Sequence, residues 1–203
     1  MNMKEIKVKV TFTEEVLGSS PSNPDIYRDY IASRSPDAAS IEEEVAAVGV
    51  DEVAEKQTTI FPKLADGTPF VYDYQVRGFF KEVLGILKKV PGSKATKIKA
   101  HKKLIDNFVF VEPRQIPLDL HGMKIDICQR PLRASTPMGE RTALAMSETV
   151  PEGTSMEFTI LVTIDDKDGE YEAALLECLD YGRLKGFGQW RNSGKGKFTY
   201  ELI

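Results

Sequence analysis

Leu184-Lys185-Gly186-Phe187-Gly188-Gln189-Trp190-Arg191-Asn192-Ser193-Gly194-Lys195-Gly196-Lys197-Phe198-Thr199-Tyr200-Glu201-Leu202-Ile203 combines two signals in one stretch. Four glycines stand between positions 186 and 196, interleaved with Lys185, Trp190, Arg191, Lys195 and Lys197. Phe198, Tyr200 and Leu202 then alternate with polar residues, the period of a half-buried strand. Glycine permits close backbone approach and positive φ, and lysine and arginine favour phosphate. The stretch therefore predicts a loop suited to a polyanion, running directly into a closing strand.

Upstream, Glu170 to Tyr181 reads as a helix with Ala173, Ala174, Leu176 and Leu179 among its apolar positions. Asp165-Asp166-Lys167-Asp168-Gly169 separates it from a strictly alternating strand, Met156, Phe158, Ile160, Val162, Ile164. At the other end, Ile6, Val8, Val10 and Phe12 alternate with Lys7, Lys9 and Thr11 in a first strand. Tyr74 to Val90 carries the strongest helical period, with Val76, Phe79, Phe80, Val83, Leu84 and Leu87 on one face and Pro91-Gly92 as its stop. Phe108 to Val111 is a short apolar strand, and Ile125–Leu132 and Thr142–Val150 read as two extended arms joined by a turn at 137–140. Ser40 and Glu43 form a capping box. Residues 26–32 have the character of a short helix. Lys94 to Lys103 is a basic helix or loop.

Without the stretches near 14–73 and 91–128, the order is strand, helix, strand, strand, helix, strand. That order predicts an α+β fold, a ferredoxin-like (RRM-like) split βαβ core with an antiparallel sheet, two packed helices and large insertions. The length of 203 residues fits one domain over 1–203.

Apolar residues make up 41% and charged residues 29%, enough for a core and a wet surface. No apolar run reaches the ~18 residues of a membrane span. The N-terminal residues lack a signal-peptide core, so a cytoplasmic protein with no membrane contact is expected. A net charge of −4 argues against a generic nucleic-acid coat, yet the charge is unevenly spread. Glu42, Glu43, Glu44, Asp51, Glu52 and Glu55 cluster early; Lys81, Lys88, Lys89, Lys94, Lys97, Lys99, Lys102 and Lys103 cluster in the middle. Two distant cysteines, Cys128 and Cys178, read as free thiols; with only His101 and His121 a zinc site or a histidine-based triad is poorly supplied, and no cofactor is expected. Asp165, Asp166 and Asp168 lack the full spacing of a calcium loop.

Several pieces together resemble the RAMP superfamily of CRISPR-associated proteins. The tail is similar to that family's glycine-rich loop in Gly188, Arg191, Gly194, Lys195 and Gly196, and in its place between second helix and last strand. Glu148-Thr149-Val150-Pro151-Glu152-Gly153-Thr154-Ser155-Met156 resembles the family hairpin E-x-x-P-x-G-(S/T)-x-(F/M). Tyr74-Gln75-Val76-Arg77-Gly78-Phe79-Phe80-Lys81 is similar to the family's first-helix start, and the first strand leading into Leu17-Gly18-Ser19 also fits. The resemblance implies a non-catalytic RNA-binding protein like the backbone subunits that line a guide RNA. Its partners would be single-stranded or guide RNA, further copies of itself and CRISPR-like complex subunits. A phage-encoded relative is a variant of that reading.

Candidate RNA-binding residues follow. In the loop they are Lys185, Gly186, Gly188, Trp190, Arg191, Gly194, Lys195, Gly196 and Lys197: cations and glycine amides for phosphate, Trp190 for a base or for the adjacent helix. Arg77 and Lys81, one helical turn apart, would flank the loop as the first helix does in RAMP folds. Arg130 and Arg133, with Arg141, lie on the arms, where the resemblance implies contact with RNA or the next subunit. No catalytic residue carries over, because neither His101 nor His121 stands where processing RAMPs place a histidine. Two other readings remain at this stage: a phage- or operon-encoded assembly protein, including a mimic of CRISPR subunits, that binds protein; and an endoribonuclease using one of the histidines.

Overall fold

Along β1 (Lys4–Phe12) the outward positions are polar, and Ile6, Val8, Val10 and Phe12 are buried. The computed structural model describes residues 3–21, 58–136, 139–166 and 168–203, with backbone alone over 131–136 and 139–144. The helix expected at 26–32, the expected Ser40–Glu43 capping box and the acidic residues at 42–55 lie outside the described residues.

The buried positions of β1 set its pairing on both sides. β10 (Ser155–Val162) and β11 (Phe198–Leu202) each run antiparallel to it, matching Val8 with Phe158 and Val10 with Tyr200. β6 (Val109–Glu112) adds to the far side of β10, with Val111 opposite Ile160. The sheet order is β11-β1-β10-β6, antiparallel throughout. A register slip of one residue would turn the apolar set outward, so this alternation specifies the pairing strongly.

Two helices cover the apolar face. α1 (Asp73–Leu87) buries Val76, Phe79, Phe80, Val83, Leu84 and Leu87, all six residues of the predicted stripe. Its start is fixed by Gln75, whose Oε1 accepts from the Tyr72 backbone N–H at 2.9 Å. α3 (Glu170–Asp180) buries Ala174, Leu175, Cys178 and Leu179. The expected stripe named Ala173 and Leu176 instead; apolar residues on neighbouring positions left its phase open, and packing on α1 and β11 chose one. Between these lies α2 (His101–Phe108), which buries Leu104 and Ile105 and exposes Lys102 and Lys103. The other face of the sheet is open and carries Glu5, Lys7, Lys9, Phe110, Glu112, Glu157, Thr199 and Glu201.

The described parts of the two stretches set apart as insertions hold more regular structure than their sequence suggests. The first contributes β2 (Val16–Leu17), β3 (Ser20–Pro21), β4 (Thr58–Ile60) and β5 (Phe70–Tyr72). Strands of two or three residues are too short to show a period. The second contains α2 and the core strand β6, followed by β7 (Gln115–Pro117), which pairs with β5. The two arms form a hairpin: β8 (Asp126–Thr136) lies antiparallel to β9 (Gly139–Val150), from Asp126 opposite Thr149 to Thr136 opposite Gly139. The base of β9 also joins β2 and β4, tying the hairpin to the body. Both cysteines are free; burial pushes the Cys178 thiol far above its usual range. No helix among the described residues is long and apolar enough to cross a membrane.

Candidate functional site

α3 passes into a single turn, α4 (Gly182–Lys185), and the glycine-rich loop begins at Gly186. Phe187 anchors it. The ring is buried, with its centroid 6.3 Å from those of both Phe12 and Phe79. Around this anchor the loop closes on itself. The Phe187 N–H donates to the Gly196 carbonyl at 2.7 Å, and the Gly196 N–H donates to the Glu15 carbonyl at 2.8 Å. Gly186 and Gly196 both have positive φ, 73° and 72°. A Cβ on Gly196 would lie 1.9 Å from the Phe187 carbonyl oxygen, and one on Gly186 would lie 2.4 Å from that of Lys195. These glycines therefore let two limbs of the loop touch.

That corrects one expectation. The N–H of Gly186 donates to Gly182, that of Gly194 to Arg191 and that of Gly196 to Glu15. Their amides are engaged within the fold rather than turned toward a phosphate. Trp190 takes a left-handed conformation, φ 55°, and starts a 3-10 turn over Arg191–Ser193.

The loop cations are held by carboxylates that sequence reasoning passed over. Glu82 on α1 receives Arg191 at 2.6 Å and Lys185 at 2.9 Å. Burial works to raise the Glu82 pKa; the hydrogen bonds from Arg191 and Lys185 outweigh it and hold the carboxyl below its ordinary value. Lys195 reaches Glu15 at 3.0 Å, and that hydrogen bond raises the pKa of its ammonium. Lys197 has no ion-pair partner among the described residues. The sign of Glu82 was the available signal: it is a carboxylate within a helix whose other charged residues between 77 and 89 are all basic.

Arg77 and Lys81 do not flank the loop. Arg77 donates to the carbonyls of Ile105 and Asp106 at 3.4 and 3.1 Å and lies 5.6 Å from the Phe110 ring centroid. Lys81 pairs with Asp106. Both belong to the α1–α2 flank, while Gln75, Gly78, Phe79 and Glu82 face the loop across a groove of about 510 Å³. Residues one helical turn apart share a face, but only packing reveals which face meets which neighbour.

From the other side, the base of the arm closes in. The Arg130 guanidinium lies 5.0 Å from the Trp190 ring centroid and donates to Gln189 Oε1 at 3.3 Å. Gln189 in turn donates to the Gly18 carbonyl at 3.1 Å. Trp190 is thus covered on one side by Arg130 and remains 37% exposed. Arg133 lies opposite Thr142 in the hairpin; its side chain, like that of Arg141, lies outside the described residues. So the structure unites Lys185, Gly186, Gly188, Trp190, Arg191, Gly194, Lys195, Gly196, Lys197 and Arg130, and sets Arg77 and Lys81 apart.

The basic run at 94–103 forms a separate surface. Ser93 and the backbone N–H of Lys94 bind Glu177 of α3 at 2.7 and 2.9 Å, and Ala95 and Ile98 are buried beneath. Lys94, Lys99, Lys102 and Lys103 point outward. Burial, and then the charges of Lys88 and Lys102, lower the pKa of His101.

No protein-family model and no curated protein matches this sequence. Many solved chains share its fold, two of which serve as examples. One is a chain from the cryo-electron microscopy structure of type III-B Cmr-beta bound to cognate target RNA: TM-score 0.50, identity 10%, covering 99% of this chain and 59% of that one. The other is a chain from a type IV-B CRISPR complex: TM-score 0.50, identity 12%, covering 98% of this chain and 90% of that one. This chain therefore spans little more than half the length of the first neighbour. At such identities the likeness is one of fold.

Proposed function

We propose that this protein is a RAMP-like RNA-binding subunit with a ferredoxin-like core, gripping single-stranded RNA between its glycine-rich loop, α1 and the base of the β8–β9 hairpin. The observation that carries this reading is the convergence of Lys185, Arg191, Lys195, Lys197 and Arg130 on one side of the molecule, around an exposed Trp190. Glu82 takes Lys185 and Arg191, and Glu15 takes Lys195, while Arg130 and Lys197 have no ion-pair partner among the described residues, in a chain of net charge −4. Backbone phosphates would exchange places with Glu82 and Glu15 on Arg191 and Lys195, and Trp190 would offer a stacking face. The shared fold with chains of two CRISPR complexes supports the same reading. The open face of the sheet is a poor alternative, because Glu5, Glu112, Glu157 and Glu201 outnumber Lys7 and Lys9 there.

The test is a gel shift with a single-stranded RNA oligonucleotide across a salt series. Two phosphate contacts correspond to a log–log salt slope of about −1.4, at roughly −0.7 per phosphate. Arg191→Gln with Lys195→Gln should flatten the slope by that amount and weaken low-salt binding at least tenfold. An unchanged affinity and slope in the double variant would refute the proposal. One observation favours a second reading, a protein-binding subunit: Arg191, Lys185 and Lys195 already have internal partners. Light scattering on the purified protein, with and without RNA, separates the two by whether mass is gained from nucleic acid or from protein copies.

A further inference from the structure

A second concavity, about 590 Å³, lies at the start of β10, between it and the β5–β7 pair. It has no part in the proposed RNA grip. Its walls are largely apolar, with Pro69, Leu118, Leu120, Met123 and Met156 among them. Three polar residues form a chain along it. Asp119 Oδ2 lies 3.2 Å from His121 Nδ1, and His121 Nε2 lies 3.0 Å from Ser155 Oγ.

The arrangement is fixed from several directions. Asp119 and Ser155 exchange backbone hydrogen bonds at 2.8 and 2.9 Å. Asp119 Oδ1 also accepts from the His121 backbone N–H at 2.8 Å. This holds His121 at φ 50°, a conformation uncommon for residues other than glycine. Strain of this kind is concentrated at functional sites. The carboxylate at Nδ1 selects the tautomer protonated there, so Nε2 presents its lone pair to the Ser155 hydroxyl. Ser155 is 3% exposed and sits at the floor, while His121 and Asp119 form the rim. This is the order of contacts that activates a serine: carboxylate to imidazole to hydroxyl.

We propose that Ser155, His121 and Asp119 form an acyl-transfer site that hydrolyses esters with a small apolar acyl group. The Asp119 carboxylate at the rim disfavours phosphodiesters, and Glu157 beside it is paired with Lys9 at 3.5 Å, which leaves neutral esters as the fitting class. In the first step Ser155 Oγ bonds to the ester carbonyl carbon and its proton passes to His121 Nε2. The carbonyl carbon–alkoxy oxygen bond then breaks, and Nε2 returns the proton to the departing alcohol. Water attacks the acyl-serine, gives one proton to Nε2, and releases the acid as Ser155 regains its proton. Ser155 and His121 are the catalytic residues; Asp119 positions the imidazole.

The probes are p-nitrophenyl butyrate turnover and labelling by a fluorophosphonate with peptide mapping, both on the full chain. The expected result is labelling of Ser155 and turnover above buffer. Turnover should fall to background in Ser155→Ala, which keeps the backbone bonds to Asp119. His121→Asn, chosen because asparagine tolerates positive φ, should lower kcat by ~100-fold or more. Asp119→Asn should lower kcat at unchanged KM. Circular dichroism confirms that each variant is folded. The proposal is overturned if the fluorophosphonate leaves Ser155 unmodified in the folded wild-type protein, or if Ser155→Ala retains wild-type turnover.

Discussion

The loop groove and the Ser155 cavity are of similar volume, about 510 and 590 Å³, and are built on opposite principles. The groove holds an internal ion pair, Arg191 with Glu82, and Glu82 also takes Lys185, while Glu15 holds Lys195 of the same loop. The cavity is apolar with an acidic rim, and its single imidazole is oriented rather than neutralised. The proposed RNA grip asks a polyanion to replace one set of ion pairs by another. The cavity suits a neutral molecule. A net charge of −4 says little about either region, because the loop cations have carboxylates set directly beside them.

The sharpest way to break the comparison is Phe187→Ala. Removing this buried ring from between Phe12 and Phe79 should cost about 3–5 kcal/mol. Denaturant unfolding measures the loss. If the two concavities are independent, RNA affinity falls with the loop anchor while labelling of Ser155 persists in the folded fraction. Next is Gly196→Ala, where backbone would meet the new methyl and φ is positive. About 2–3 kcal/mol is expected, lowering Tm by roughly 5–10 °C in a chain of this size. An unchanged Tm would mean that the loop limbs do not depend on their close approach.

Arg130→Lys is gentler. It removes the planar contact with Trp190 while keeping the charge, and should cost about 0.5–1 kcal/mol. Tryptophan fluorescence of the single Trp190 reports the change in its surroundings. The smallest effect is at low pH. The folded Glu82 carboxyl titrates below its ordinary value of 4.5, so its stabilising contribution is present above that value and is lost as pH falls through the depressed one. Glu82→Gln should flatten the acid limb of a stability–pH profile and, at neutral pH, strengthen RNA binding by releasing Arg191 and Lys185. Weaker binding in this variant would show that Glu82 orders the cations for RNA rather than competing for them.

How much of this was legible in the chain differs by residue. The stripe Val76, Phe79, Phe80, Val83, Leu84 and Leu87 and the alternation Ile6, Val8, Val10, Phe12 name their own buried faces, because period alone separates inside from outside. The glycine-rich loop was visible as composition, but its glycines serve the contact between Gly186 and Gly196, and no local pattern shows which limbs of a loop will touch. Arg77 and Lys81 were assigned to the loop, yet their neighbour is α2. The strands at 16–17, 20–21, 58–60 and 70–72 are too short for any period. Asp119 and His121 are two residues apart and Ser155 is far along the chain, so their order of contacts had no sequence signature.

By itself, then, the sequence determined the α+β order, the apolar faces of β1 and α1, the position of the loop before the last strand and the clustering of basic residues. These follow from short-range rules: residue period, glycine and proline punctuation, and local charge. The tertiary structure alone decided that Glu82 and Glu15 hold the loop cations, that Arg130 lies over Trp190, and that Ser155 meets His121. Each of these joins residues distant in the chain through side-chain geometry, and that geometry is fixed only when the sheet and helices pack.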